Sequence, residues 1–417
     1  FTMSFFCCER MRNSIRKKAK RKLNGDYTFT LYDDVQDIFE EDWINVLGEK
    51  NFFLSLDYLH VIQQLHQSSI SFRYVIVYRD TLPVFISYFQ IIDFTADVFG
   101  ELLLDQVSDG KSKHARLFES YLDHNKKKVI MRLVTCGNNY ISGEHGFAFA
   151  DVLKREEAFG LLEQVISLIG KEEKLRGKIS ATLVKDFYQD HLPSKNKLTD
   201  DKFINFSVEP NMIIDIPEGV SSVQEYISLF SKKYRNRAKN IFKQGSQVTR
   251  KELNVEETLA LKDKLYNLYM EVYSNAKFKL VQLHSDYFAE MKRAFPEQFR
   301  ITGFFLNDKL LAFDSAFIPG EKEVEAHYIG VDYSKNKDFE LYQNILYNLI
   351  DVALKTSHRR LNLGRTAAEI KSTVGARAHE LICYIKPQNT VSKVVLTPFI
   401  SYLQPTAWIP RNPFKEE

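Results

Sequence analysis

Cysteine is scarce in this 417-residue chain, with Cys7, Cys8, Cys136 and Cys383 the full set. They show neither the paired spacing of a zinc site nor the dense framework of a small secreted domain. The sequence therefore points to a reducing, cytoplasmic setting and to no metal. Long apolar runs are also missing. The longest near the C-terminus, residues 394–403, is about half of the ~20 residues a spanning helix needs. The apolar patch at 5–8 precedes a basic run instead of following one, unlike a signal peptide. No Ser/His/Asp or Cys/His constellation stands out, so nothing suggests covalent hydrolase chemistry. A Walker loop and a dinucleotide fingerprint are absent too.

Net charge is low, at +3, but unevenly spread. Arg10, Arg12, Arg16, Lys17, Lys18, Lys20, Arg21 and Lys22 crowd one acid-free stretch, which leaves the rest of the chain mildly acidic. Residues 1–25 are expected to form a basic arm, either a plain tail or a peripheral contact with an anionic membrane. The length exceeds one ordinary core and suits two domains. Hydrophobic residues at 44% and charged residues at 27% are ordinary for a globular chain, and 32 Phe with 21 Tyr predict an aromatic core.

Periodicity predicts short helices over 34–47 and 54–65, then a hairpin of strands 73–79 and 82–94 turning at Asp80-Thr81. A helix over 113–127, a strand over 129–136, a helix over 155–170 and a strand over 178–184 follow. The polar stretch 192–205 marks a boundary between domains at 26–205 and 206–390, with a tail over 391–417. In the second half a strand at 211–216 precedes one long helix from Ser222 to about Gln244, with Ser222 as its cap and Gly245 as its stop. Helices over 258–274 and 285–294, strands at 300–306, 310–318 and 324–331, a helix over 339–355 and strands at 360–363 and 380–386 complete the reading. Leu54-Ser55-Leu56-Asp57-Tyr58-Leu59 and Leu283-His284-Ser285-Asp286-Tyr287-Phe288 each open a helix, strand, turn, strand series, which suggests a duplicated α/β unit.

Four segments can carry chemistry. The stretch Gly364 to Ala376 follows a strand and places Arg365, Glu369 and Lys371 between glycines at 364 and 375. Arg365 and Lys371 can hold an anion or a developing oxyanion, and Glu369 can accept a proton. From the residues alone the favoured reading is an Arg–Glu pair that steadies a turn. The loop Gly137, Asn138 through Gly143, Glu144, His145 and Gly146 can offer backbone N–H groups to phosphate, or can be an irregular turn. The basic half of the helix at 222–244, with Arg235, Arg237 and Lys239, is either a solvated face or a polyanion contact such as a nucleotide sugar, a tRNA or an acidic membrane. His327 and Asp332 at a strand end, with Tyr342 on the next helix, can line a cleft; His327 also reads as a packed histidine.

Lys233-Tyr234-Arg235-Asn236-Arg237-Ala238-Lys239, the hairpin at 308–317, the Gly330 strand end and the Gly364…Lys371…Gly375 loop resemble the FemAB-like branch of the GNAT superfamily. The resemblance implies two tandem GNAT-like α/β domains, each a mixed, mostly antiparallel sheet flanked by helices. It implies an N-acyltransferase moving an acyl or aminoacyl group to an amine such as a cell-envelope precursor, from acyl-CoA, acyl-carrier protein or aminoacyl-tRNA. Lys371 would then stabilise negative charge and Arg365 position substrate, with Glu369 as the base. The chain lacks the heptad-bearing arm of tRNA-using relatives and a pyrophosphate loop after Gly330, so the donor stays open. A non-catalytic cell-wall or lipid head-group binder is the competing expectation.

Overall fold

The computed structural model describes residues 20–95, 129–176, 180–194, 196–200, 203–276, 281–388, 393, 396, 400 and 403–415. Most of the basic arm and the expected helix at 113–127 lie outside these residues. The chain forms two compact units, one of residues 1–139, 143–206 and 382–403, the other of residues 140–142, 207–381 and 404–417. No helix among the described residues is long and apolar enough to cross a membrane.

In the first unit the strands are β1 (Arg21–Lys22), β2 (Tyr27–Tyr32), β3 (Ile70–Arg79), β4 (Leu82–Thr95), β5 (Val129–Cys136), β6 (Phe147–Phe149) and β7 (Ala181–Tyr188). They lie in the order β1-β2-β3-β4-β5-β7, with β6 on β4. Every pairing is antiparallel except β5 with β7. The β3–β4 hairpin turns where the sequence predicts, with Asp80 at φ 54°, a left-handed position that Asp tolerates better than most residues. Helix Leu56–His66 starts at Ser55, whose hydroxyl accepts from the Tyr58 amide. Helix Arg155–Arg176 buries Phe159, Leu162, Val165 and Ile169 against Val75, Val77, Phe85 and Phe89.

The second unit repeats this order. Its strands are β8 (Ile204–Asp215, which starts in the first unit), β9 (Thr249–Glu252), β10 (Phe299–Leu306), β11 (Lys309–Phe317), β12 (Val324–Val331) and β13 (Arg360–Asn362), and β14 (Arg377–Pro387) begins here. The order is β8-β13-β12-β11-β10-β9, and only β12 and β13 are parallel. In each unit a helix leads into an antiparallel hairpin, a third antiparallel strand, a helix and a parallel strand. A mixed, mostly antiparallel α/β sheet is thus seen in both. Helix Leu341–Lys355 buries Ile345, Leu349, Ile350 and Ala353 against Ile214, Ala312, Ala316 and Leu361. Helices Lys262–Asn275 and Tyr287–Ala294 bring a second apolar layer, in which Phe288 meets the Phe313 ring edge-on at 4.8 Å.

Several expected helices are cut differently, those over 34–47 and 258–274 being interrupted at residues 38–39 and at Leu261. The helix expected from Ser222 to about Gln244 is two, Val223–Ser228 and Lys232–Gln244. Between them Phe230 is fully buried and the Ser231 amide donates to the Pro413 carbonyl, so tertiary partners replace a helical turn. The helix expected over 339–355 is found as Leu341–Lys355, and a break at Glu340, φ 49°, separates it from a short helix, Tyr333–Phe339, outside the expected range. The Asn344 amide satisfies the carbonyls of Phe339 and Glu340 freed by that break, each at 3.1 Å. Residues 404–415 pack on the second unit, where Phe414 stands edge-on to Tyr226 and Phe230.

Candidate active site

The site is built where β12 and β13 part. They pair only at Val324 with Leu361 and Glu325 with Asn362. Beyond that point β12 runs on to Val331, while residues 363 and 364 follow β8 instead. The Leu363 amide donates to the Met212 carbonyl at 2.8 Å, and the Met212 amide to the Gly364 carbonyl at 3.1 Å. A fork in a sheet leaves a strand edge whose amides and carbonyls are available to an extended ligand.

β12 is also bulged. Asp314 opposes Ile329 and Ala316 opposes Ala326, so His327 and Tyr328 together face the single residue Ser315. Strand alternation would send His327 and Tyr328 to opposite faces. Both instead touch Tyr287, at ring distances of 5.7 and 6.1 Å. The Ser315 hydroxyl holds the bulge through the Tyr328 carbonyl at 2.6 Å.

Glu325 stands at the base of the fork and is 4% exposed. The Asn362 amide donates to its Oε1 at 3.0 Å, while Oε2 is buried with no hydrogen-bond partner among the described residues. Burial, reinforced by Glu323, lifts its pKa well above the usual carboxylate range. Asn362 also accepts from the Gly364 amide at 2.9 Å, which ties the carboxyl to the following loop. A second buried acid, Asp314 beside the bulge, is held by the Asn348 amide at 2.9 Å, and burial pushes it up to about 8. Sequence reading missed both. Each sits in a strand whose alternation is equally compatible with an exposed acid, and only the register brings an Asn opposite Glu325.

The three residues expected to share one loop have separate partners. Lys371 is buried, and its Nζ donates to the carbonyls of Leu363, Gly364 and Arg365 at 2.7, 3.2 and 2.6 Å. Burial pushes its pKa down to about 7. Its donors are committed to shaping the loop that leaves the fork. Glu369, in the short helix Ala368–Ser372, turns to the Arg411 guanidinium at 3.0 and 2.5 Å. Arg365 joins this set through its carbonyl. Gly364 at φ +69° makes the turn, and Gly375 at φ +100° leaves room that a Cβ would take from the Tyr226 hydroxyl, 2.4 Å away.

His327 is packed. Tyr287, Phe317 and Tyr328 surround its ring, Nε2 lies 2.7 Å from the Tyr287 hydroxyl, and desolvation pushes its pKa down to about 3. Asp332 caps helix Tyr333–Phe339 by accepting from the Ser334 amide and hydroxyl at 3.0 and 2.6 Å. The Tyr342 amide donates to Asn336 at 2.9 Å, and burial raises its phenol pKa.

In the first unit the loop after β5 is packed from within. Asn138 donates to the Tyr58 hydroxyl at 3.0 Å and its carbonyl accepts from Lys185 at 2.8 Å. Glu144 pairs with Arg155 at 3.0 Å and accepts from the Tyr188 amide. His145 meets Asn51 at 3.1 Å and the Phe53 ring edge-on. Gly137, Gly143 and Gly146 lie so close to Lys185, His145 and Cys136 that a Cβ would come within 2.9 Å of each. On helix Lys232–Gln244, Arg235 donates to the Phe230 carbonyl at 2.5 Å, while Arg237 and Lys239 are exposed.

No family model matches the chain, and no curated protein does. Solved structures do. The chain is similar to FemX at 11% identity, over 88% of this chain and 99% of that one, with a TM-score of 0.53. A tandem GNAT protein from the clavulanic acid biosynthesis pathway matches at 7% identity over 87% and 99%, with a TM-score of 0.47. At such identity the likeness is one of fold, and the fold is FemAB-like.

Proposed function

We propose that the second unit transfers an acyl group from a carrier to an amine. The observation that carries this reading is Glu325, a buried carboxyl with one oxygen unpaired among the described residues, at the point where β12 and β13 diverge. In the proposed reaction the amine nitrogen attacks the carrier's ester or thioester carbonyl. The new C–N bond forms, the C–O or C–S bond breaks, and the amine proton passes to the Glu325 carboxylate. A carboxyl whose pKa is raised toward the working pH is a stronger acceptor of that proton than an exposed one. The divergence of β12 from β13 beyond Glu325 suits an extended, amide-bearing carrier arm, so acyl-CoA and acyl-carrier protein are the first donors to try and aminoacyl-tRNA the next. Lys371 acts by holding the loop, not by touching the carbonyl. Arg365 and the 364–375 loop border the acceptor side, and Glu369 paired with Arg411 ties the C-terminal segment to that loop.

The FemX-like fold supports a transferase reading without choosing donor or acceptor. The test is to incubate the full chain with panels of acyl-CoA, acyl-carrier protein and charged tRNA, each with pooled amines. Release of free carrier is followed together with amide formation by mass spectrometry. Turnover that Glu325→Gln abolishes is the expected result. Turnover equal in Glu325→Gln and the parent would remove Glu325 from the chemistry. No acylation with any donor, together with ligand-induced stabilisation by a cell-wall or lipid head-group fragment, would replace the transferase reading with a binding one.

A further inference from the structure

Helix Lys232–Gln244 turns Lys232, Lys233, Arg237, Lys239 and Lys243 to solvent. With 3.6 residues per turn they share one arc of roughly 160°. Asn236, Asn240 and Gln244 lie between them, and the helix contains no acid. Among the described residues none of the five is ion-paired; Arg237 donates to the neutral Gln343 at 3.1 Å. The opposite side is committed to the core through buried Ala238 and Ile241, with Tyr234 and Phe242 packed beside them. The helix dipole does not account for the arc. The break at 229–231 puts Lys232 and Lys233 in a first turn, where cations are disfavoured.

We propose that this face docks reversibly on the surface of a bilayer rich in anionic lipid. Four of the five cations are lysines, compact point charges suited to a diffuse sheet of headgroups. Nucleic-acid backbones favour the bidentate fork of arginine, and the arc's one arginine already serves Gln343. The arc exposes no aromatic ring for stacking on bases. Its apolar residues all point inward, so the contact stays at headgroup level without insertion. This proposal stands independently of the acyl-transfer reading.

The test is cosedimentation of the full chain with vesicles of phosphatidylcholine, alone or mixed with phosphatidylglycerol. Binding is expected only to the mixed vesicles, and is lost at about 1 M salt, where screening shortens to ~3 Å. Each Lys→Gln change on the arc should lower the partition coefficient about fivefold, from about 1 kcal/mol per charge. Lys232→Gln/Lys233→Gln/Lys239→Gln/Lys243→Gln together should then cost several hundred-fold. A control, Lys154→Gln/Lys171→Gln/Lys309→Gln/Lys322→Gln, removes four exposed charges elsewhere and should keep binding. Melting curves verify that both variants fold. Absence of vesicle binding by the parent chain overturns the proposal, as does equal loss in both variants. So does binding that vanishes on deleting residues 1–25 yet survives the arc substitutions. Loss of affinity for duplex RNA in the arc variant, with no vesicle binding in the parent, would assign the face to nucleic acid instead.

Discussion

Glu325→Gln should make the protein more stable while making it inactive. The side chain is buried, its Oε2 has no hydrogen-bond partner among the described residues, and its pKa is raised by burial. A group with a raised folded pKa contributes its full stability below its unfolded pKa and loses it as pH rises toward the folded value. The unfolded glutamate titrates near 4.3, so above that pH the unfolded chain sheds its proton more readily than the folded chain, and the acid without a partner costs stability, about 1–3 kcal/mol for a buried polar group left unsatisfied. Glutamine keeps the acceptor oxygen for Asn362 and carries no proton to lose. At pH 7 the gain should be about 1–3 kcal/mol, at about 2–4 °C per kcal/mol in the transition of a unit this size. At pH 4 the two proteins should melt together, because both forms are then neutral. Calorimetry at the two pH values decides it. A gain as large at pH 4 as at pH 7, or a loss at pH 7, would refute the reasoning that an unpaired buried acid is held at the fork.

Gly375→Ala should cost about 2–4 kcal/mol in urea melts, because the new Cβ meets the Tyr226 hydroxyl and the Phe414 ring at a backbone angle alanine resists. Lys371 is pushed down to about 7 from 10.5 by burial, so between those values the unfolded chain binds a proton the folded chain lacks. Stability from this group therefore climbs as pH rises through that window, and Lys371→Met should flatten the climb in melts across the range. In the first unit, Asp186→Ala removes one partner of the buried Lys185–Asp186 pair and should destabilise that unit by about 3–5 kcal/mol, read by hydrogen exchange or thermal melting.

The β3–β4 hairpin, the strand at 129–136 and the doubled order of elements were legible because they rest on local signals: alternation, turn residues and apolar periodicity. The helix break at 229–231 and the short helix that ends before Glu340 were not. One depends on a carbonyl at Pro413, the other on the side chain of Asn344, and no local pattern reveals such partners. The loop at 364–375 was legible as a place, but the partners of its residues were hidden. Lys371 reads as an exposed loop cation and is instead turned inward onto three carbonyls. Glu369 finds Arg411, far along the chain, which periodicity cannot anticipate. Glu325 was invisible for a further reason: its burial follows from strand register, a property of the sheet and not of the segment.

The extra residue in β12 also acts as a parity counter. With His327 and Tyr328 on one side, every residue before them is out of step with every residue after. Deleting either one would straighten the strand and force a choice between rotating Glu325 away from Asn362 and rotating Gly330 away from the tight seat beside Phe313 and Leu268. The strand can therefore exchange side chains at 327 and 328 far more readily than it can change its count, and the single-residue deletion should be the harshest lesion in the unit.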